Sequence, residues 1–170
     1  MKIQIIGYSG SGKSTLVKQL GDFYNIPYLH LDNVQFYGDW QERSKEEQNV
    51  IVSEFLEQHD NWVIDGNYSI VAPKRFEISD ITIFLNYNRF FCYRMAKKRY
   101  LMYKDSHRES CPCPEKFDIA FKKWISWDSR VRKRRAKHWI NLNKTKGLKL
   151  VFKNRKQLNK WLKEIGCIGE

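Results

Sequence analysis

Residues 7–14 read Gly-Tyr-Ser-Gly-Ser-Gly-Lys-Ser and constrain the fold of this 170-residue chain more than any other stretch. The spacing is G-x-x-x-x-G-K-[ST], the pattern of a loop that cradles phosphate between a strand and a helix. The flanks agree. Ile3, Ile5 and Ile6 form a short β-branched run before it, and Leu16, Val17 and Leu20 follow at helical spacing. Glycines let the chain curl until successive N–H groups point inward, and the new helix adds its positive end. Gly7, Ser9, Gly10, Ser11, Gly12, Lys13, Ser14 and Thr15 are therefore the candidate nucleotide-phosphate ligands. Lys13 supplies a mobile cation for the outer phosphates and the Ser14 hydroxyl a ligand for Mg²⁺.

Strand and helix patterns alternate along the rest of the chain, which predicts an α/β fold with a parallel sheet covered on both faces. The expected strands are 2–6, 28–31, 62–65, 81–85 and 148–152. Ser44-Lys45-Glu46-Glu47 has the form of a capping box opening a helix. Residues 88–103 read as a basic helix, 107–114 as a loop and 154–165 as a closing helix. Phe117, Phe121, Trp124, Val131 and Trp139 fall near one face of a single long helix over about 117–140.

At this length one well-cored domain is expected, 1–170, with a basic insertion at about 89–140. The expected first strand begins at Lys2, leaving no room for a signal peptide, and no apolar run reaches membrane-spanning length. With four cysteines in no framework spacing, a reducing cytoplasm is the expected location. The net charge of +12 is uneven. Residues 1–88 carry 7 basic and 12 acidic side chains, whereas 89–140 carry 16 and 5. That excess suits polyanions, either a nucleotide's phosphates or a nucleic acid.

In an open parallel sheet the ligand lies beyond the carboxyl ends of the strands, and this rule sorts the carboxylates. Asp32 follows the second strand and Asp65 ends the third, so both should face the phosphates. Asp65 fits a carboxylate that places Mg²⁺. Asp32 fits one that binds substrate, holds a metal-bound water or takes a proton from an attacking hydroxyl. Asp80 begins its strand and reads as structural, and His30 should point into the sheet.

Taken with the phosphate loop, the segments 30–32 (His-Leu-Asp), 62–68 (Trp-Val-Ile-Asp-Gly-Asn-Tyr), 80–85, the basic 94–99, 113–117 and the last strand with its helix resemble the bacterial topology modulation proteins, themselves similar to adenylate kinases. The resemblance covers nearly the whole chain. It implies a three-layer P-loop NTPase fold of the nucleoside-monophosphate-kinase type, with strand order 2-3-1-4-5 and a helical lid. It implies ATP with Mg²⁺ at residues 7–15 and a small-molecule acceptor. It also implies lid cations over the transferring phosphoryl group: Arg94 and Arg99 as catalytic candidates, with Lys98, Arg130 and Arg134 behind them. Adenylate kinases follow the third-strand Asp-Gly with Phe-Pro-Arg, whose arginine grips the acceptor phosphate. Here Asn67-Tyr68-Ser69 stands instead, leaving Arg43 and Arg75 as substrate-binding candidates beside Asp32.

Three functional classes remain open on these residues: an ATP-dependent kinase, a nucleotide-binding protein that associates with nucleic acid, and a nucleotide sensor without turnover. A zinc lid at His107, Cys111 and Cys113 is disfavoured, because structural zinc wants two pairs spaced C-x₂₋₄-C.

Overall fold

The computed structural model describes residues 1–106 and 108–169. In chain order the elements are β1 (Lys2–Gly7), α1 (Lys13–Tyr24), β2 (Tyr28–His30), α2 (Leu31–Gln35), β3 (Phe36–Gly38), β4 (Gln41–Glu42), α3 (Lys45–Gln58), β5 (Trp62–Asp65), α4 (Lys74–Glu77), β6 (Ile81–Leu85), α5 (Arg89–Tyr103), α6 (Ile119–Ser126), α7 (Arg132–Lys144), β7 (Leu148–Phe152) and α8 (Arg155–Glu164).

Five strands form one parallel sheet in the order β2-β5-β1-β6-β7. Counting only those five along the chain gives 2-3-1-4-5. What the sequence did not announce is a separate hairpin, β3–β4, inserted between the second and third of them. Its two-residue turn, Asp39-Trp40, has φ of 43° and 63°. Two positive φ values match the right-handed twist of a hairpin, but without Asn-Gly or Asp-Gly the residues do not advertise it.

The two-residue period of a strand divides the core between the faces of the sheet. In β5, Val63 joins Leu16, Val17 and Leu20 of α1, while Trp62 and Ile64 join Val52 of α3 and Leu31 and Val34 of α2. On α8, Leu158 and Leu162 are buried, and Trp161 with Ile165 just past the helix packs at their edge. The α3 cap is a complete box: Ser44 Oγ accepts from Glu47 N at 3.1 Å and Glu47 Oε2 accepts from Ser44 N at 2.8 Å.

The helix expected over 117–140 is two helices, α6 and α7, separated by a 3₁₀ turn at Asp128–Arg130. Trp127, at φ −135° and ψ −64°, leaves helical geometry, and Arg130 turns inward to donate from Nη1 to the carbonyl of Tyr87 at 2.7 Å. The break destroys the single apolar face. Trp124 and Trp139, expected inward, are 37% and 41% exposed.

No helix among the described residues is long and apolar enough to cross a membrane. Asp80 lies at the start of β6, away from the loop between β1 and α1, and accepts from Lys2 N at 2.7 Å.

Candidate active site

The carboxyl ends of β1, β2 and β5 open into a cleft of about 890 Å³. Ser9 through Thr15 form one wall. Two glycines set the shape of this loop. Gly10 has φ +77° and lies so close to α5 that a Cβ would meet the Cys92 carbonyl oxygen at 2.2 Å; Gly12 has φ +91° and caps α1. Neither position tolerates a side chain without strain. Ser11 N donates to Tyr8 O at 3.1 Å, which closes the turn.

A residue that the sequence reading passed over anchors the loop from outside. Asn67, just past β5, accepts from Gly7 N at 3.0 Å and donates to Gly7 O at 2.7 Å. It therefore imitates a neighbouring strand for one residue, fixing where the loop departs. The signal lay in the same Asn67-Tyr68-Ser69 that replaces Phe-Pro-Arg.

Lys13 is half-buried and donates to Tyr8 O at 3.2 Å. Burial lowers its pKa, while Asp65 and Asp32 act in the opposite direction. Ser14 Oγ donates to Asp65 Oδ2 at 3.1 Å, and Asp65 Oδ1 lies 3.1 Å from His30 Nδ1. His30, expected to be passive in the sheet, thus orients the Asp65 carboxylate. The pair Ser14–Asp65 offers hard oxygen donors at the loop, which fits Mg²⁺ completed by phosphate oxygens and water. No group of three His, Cys, Asp or Glu able to hold a metal unaided occurs among the described residues.

Asp32, in the first turn of α2, also lines the cleft and accepts from Tyr68 Oη at 2.7 Å. Burial and the Asp32 charge raise the Tyr68 pKa, so the phenol keeps its proton and donates.

Helical spacing decides which basic residues of α5 enter. Phe91, Met95, Lys98, Arg99 and Met102 line the cleft at i, i+4, i+7, i+8 and i+11. Arg94 falls off that stripe; it is exposed and does not line the cleft, so its expected catalytic place is corrected. Arg99 stands close enough to Lys13 to lower its pKa, and its Nε donates to Glu115 Oε2 at 3.0 Å. Glu115 also pairs with Arg108, so one buried carboxylate binds two guanidinium groups. Burial and the Arg108 charge lower the Arg99 pKa against the pull of Glu115.

Arg43 and Arg75, the expected grips for an acceptor phosphate, are corrected too. Arg43 Nη1 donates to the carbonyls of Asn33, Val34 and Phe36 at 2.7–3.0 Å, satisfying the end of α2. Arg75 is fully buried, bonded to Gln4 Oε1 at 3.0 Å and to the carbonyls of Tyr68, Val71 and Ala72. Neither lines the cleft. Arg130 packs its guanidinium 3.5 Å from the centroid of Tyr8, behind the loop, and Arg134 donates to Asp128 O at 2.8 Å on the surface.

His107 lies outside the described residues. Cys111 lines the cleft, and burial pushes its thiol up to about 11. Glu109 ties its stretch of chain to α1, β2 and α2. Glu109 accepts from Lys18 at 2.8 Å and Tyr28 at 2.6 Å, and its carbonyl accepts from Asn33 at 2.8 Å. On the far side of the loop, His138 of α7 stacks on Phe84 at 5.1 Å and meets Tyr8 edge-on at 4.8 Å.

Parallel strands in this order, a Gly-rich turn holding a lysine, and a serine–aspartate pair at its mouth define a P-loop fold of the kinase type. Solved structures agree on that fold. The chain is similar to shikimate kinase from Acinetobacter baumannii in complex with shikimate, at 13% identity over 96% of this chain and 92% of that one, TM-score 0.60. It is similar to shikimate kinase from Bacteroides thetaiotaomicron at 18% identity over 97% and 95%, TM-score 0.58. It is also similar to deoxyadenosine kinase from M. mycoides with dCMP and dCDP bound, at 13% identity over 99% and 100%, TM-score 0.52. No protein-family model and no curated protein matches the sequence.

Proposed function

We propose that this protein transfers the γ-phosphoryl group of ATP to a small acceptor. The observation that carries the reading is the convergence of Lys13, the Ser14–Asp65–His30 chain and Asp32 on one cleft. The kinase-type fold supports it. Loop amides from Ser9 to Thr15 hold the donor phosphates, and burial makes the Lys13 ammonium a stronger partner for them than it would be in water. Ser14, with Asp65 behind it, would hold Mg²⁺, which would supply positive charge against the charge that develops on the phosphates. Arg99 neutralises charge spreading over the transferring group, and Asp32 orients the acceptor hydroxyl and takes its proton. From the β6–β7 side, Tyr87, Phe91, Arg155 and Leu158 supply a largely apolar wall suited to the donor's base.

The test is ADP release with product mass, across shikimate, nucleosides and nucleoside monophosphates, for wild type and Lys13→Ala. Transfer by wild type to at least one acceptor, absent in the variant, is the expected result. Equal background from both proteins would end the reading. Asp65→Asn should weaken activity about 10–100-fold and raise the Mg²⁺ concentration for half-maximal rate, because the Ser14 side of the site loses its orienting carboxylate.

A further inference from the structure

We propose that the acceptor is a nucleoside: a neutral, hydroxylated sugar carrying a planar base, and not a phosphorylated molecule. This rests on the phosphotransferase reading and names the substrate class of the same cleft.

The positive evidence is two buried polar atoms left without partners among the described residues. Gln35 is 9% exposed and lines the cleft; its Nε2 donates to Glu42 Oε1 at 3.0 Å, but its Oε1 accepts from nothing. Trp40 also lines the cleft, and its buried Nε1 donates to nothing. Leaving such groups unpaired costs about 1–3 kcal/mol each, so the fold holds an unmet acceptor and an unmet donor on the wall built by α2 and the β3–β4 hairpin. Every common nucleobase carries an N–H donor beside a ring nitrogen or carbonyl acceptor and meets both. Phe36 and Tyr68 line the same wall with aromatic surface, and Phe36 meets Trp40 at a centroid distance of 5.2 Å. Flat rings bind well against such faces.

The negative evidence is that the arginines best placed to grip a second phosphate are engaged elsewhere among the described residues. Arg43 and Arg75 are spent on carbonyls of the fold. Arg108 is tied to Glu115 and, through Nη1, to Ser110 Oγ at 2.9 Å. An acceptor phosphate on this wall would also face the carboxylates of Asp32 and Glu109. Of the other cations lining the cleft, Lys13 and Arg99 stand by the phosphate loop, Lys18 is paired with Glu109, Arg155 lies on the β6–β7 side and Lys98 is exposed on α5.

A hydroxyl suits the same geometry. The sugar oxygen forms its bond to the γ-phosphorus while the bond from that phosphorus to the β–γ bridging oxygen breaks. The hydroxyl proton passes to the Asp32 carboxylate, and ADP leaves with the bridging oxygen. Tyr68 holds Asp32 by one oxygen and leaves the other for the substrate.

The experiment is calorimetric titration of adenosine, guanosine, cytidine and uridine, and of their 5′-monophosphates, into the full chain saturated with a non-hydrolysable ATP analogue and Mg²⁺. At least one nucleoside should bind about tenfold or more tightly than its own monophosphate. Trp40→Phe, which keeps an aromatic ring and removes the donor, and Gln35→Met should each weaken that nucleoside about tenfold. Affinity for the ATP analogue should not change. Thermal melts identify a misfolded variant, in which case the other one decides. Tighter binding of a monophosphate, no nucleoside binding beside normal analogue binding, or unchanged nucleoside affinity in both folded variants overturns the inference and leaves phosphoryl transfer standing. Absence of heat from the ATP analogue itself removes the phosphotransferase reading, and this inference falls with it.

Discussion

The loop between β1 and α1 and the segment from Gly66 to Glu77 each withdraw a cation from water, and they treat it in opposite ways. Arg75 is completely enclosed, and its guanidinium is surrounded by acceptors from Gln4, Tyr68, Val71 and Ala72. Lys13 has one hydrogen-bond partner among the described residues, the Tyr8 carbonyl, and stands in an open cleft. A buried cation whose directions are all filled serves the fold. One whose directions are mostly vacant is held for a ligand. The difference gives the two regions separable readouts, stability for one and chemistry for the other.

The largest expected effect is on stability. Arg75→Met should destabilise the protein by about 3–5 kcal/mol, since it strips partners from a buried network and leaves Gln4 Oε1 unpaired. Denaturant unfolding measures it. Any remaining folded protein should bind ATP normally, and a loss of acceptor affinity without a loss of stability would return Arg75 to the cleft.

Lys13→Ala should do the reverse. Phosphoryl transfer should fall about 10²–10³-fold, the scale of losing one placed charge-stabilising group. Measured without nucleotide, the melting temperature should hold or rise, because burial penalises the ammonium. A variant that loses stability in step with activity would break the contrast with Arg75.

How much of this was legible in the sequence follows the same division. The loop is built from backbone, and glycine spacing reports backbone directly, so residues 7–15 were readable in place. The sheet strands were readable because Ile3, Ile5, Ile6, Val63, Ile64 and Ile83 are fully buried in a sheet covered on both faces. Asp32 and Asp65 followed from a rule about strand ends. Side-chain partnerships were not readable. Nothing near Arg75 announces Gln4, 71 residues away, and nothing near Arg99 announces that Glu115 holds it together with Arg108. The helix break at Trp127 was equally hidden, since it depends on Arg130 reaching Tyr87 and Tyr8.

His138 extends the comparison to the back of the loop. Burial, with Lys13 and Arg130 adding repulsion, pushes its pKa down to about 4. The unfolded imidazole titrates near 6.5. Because the folded value is the lower one, the stabilising contribution is full above about pH 6.5 and is lost as pH falls through about 4. The size is on the order of 3 kcal/mol. His138→Phe keeps the contacts with Phe84 and Tyr8 and removes the titration, so its stability should be flatter than wild type between pH 6.5 and 4. Parallel slopes would show that His138 charges freely and that the loop is not sealed from behind.

The smallest effect should come from Asn67, which separates placing a loop from filling it. Asn67→Ala removes both hydrogen bonds to Gly7 while leaving every phosphate-facing group intact. The two bonds are worth about 1–2 kcal/mol together, by the usual net value of each. If they fix the departure angle of the loop, that amount should appear mainly as weaker ATP binding, about 5–30-fold by calorimetry, since the free chain would then sample loops that do not match the phosphates. If the cost instead appears wholly in unfolding free energy with ATP affinity unchanged, the loop is shaped by Gly10 and Gly12 alone, and Asn67 belongs with Arg75 on the structural side of the molecule.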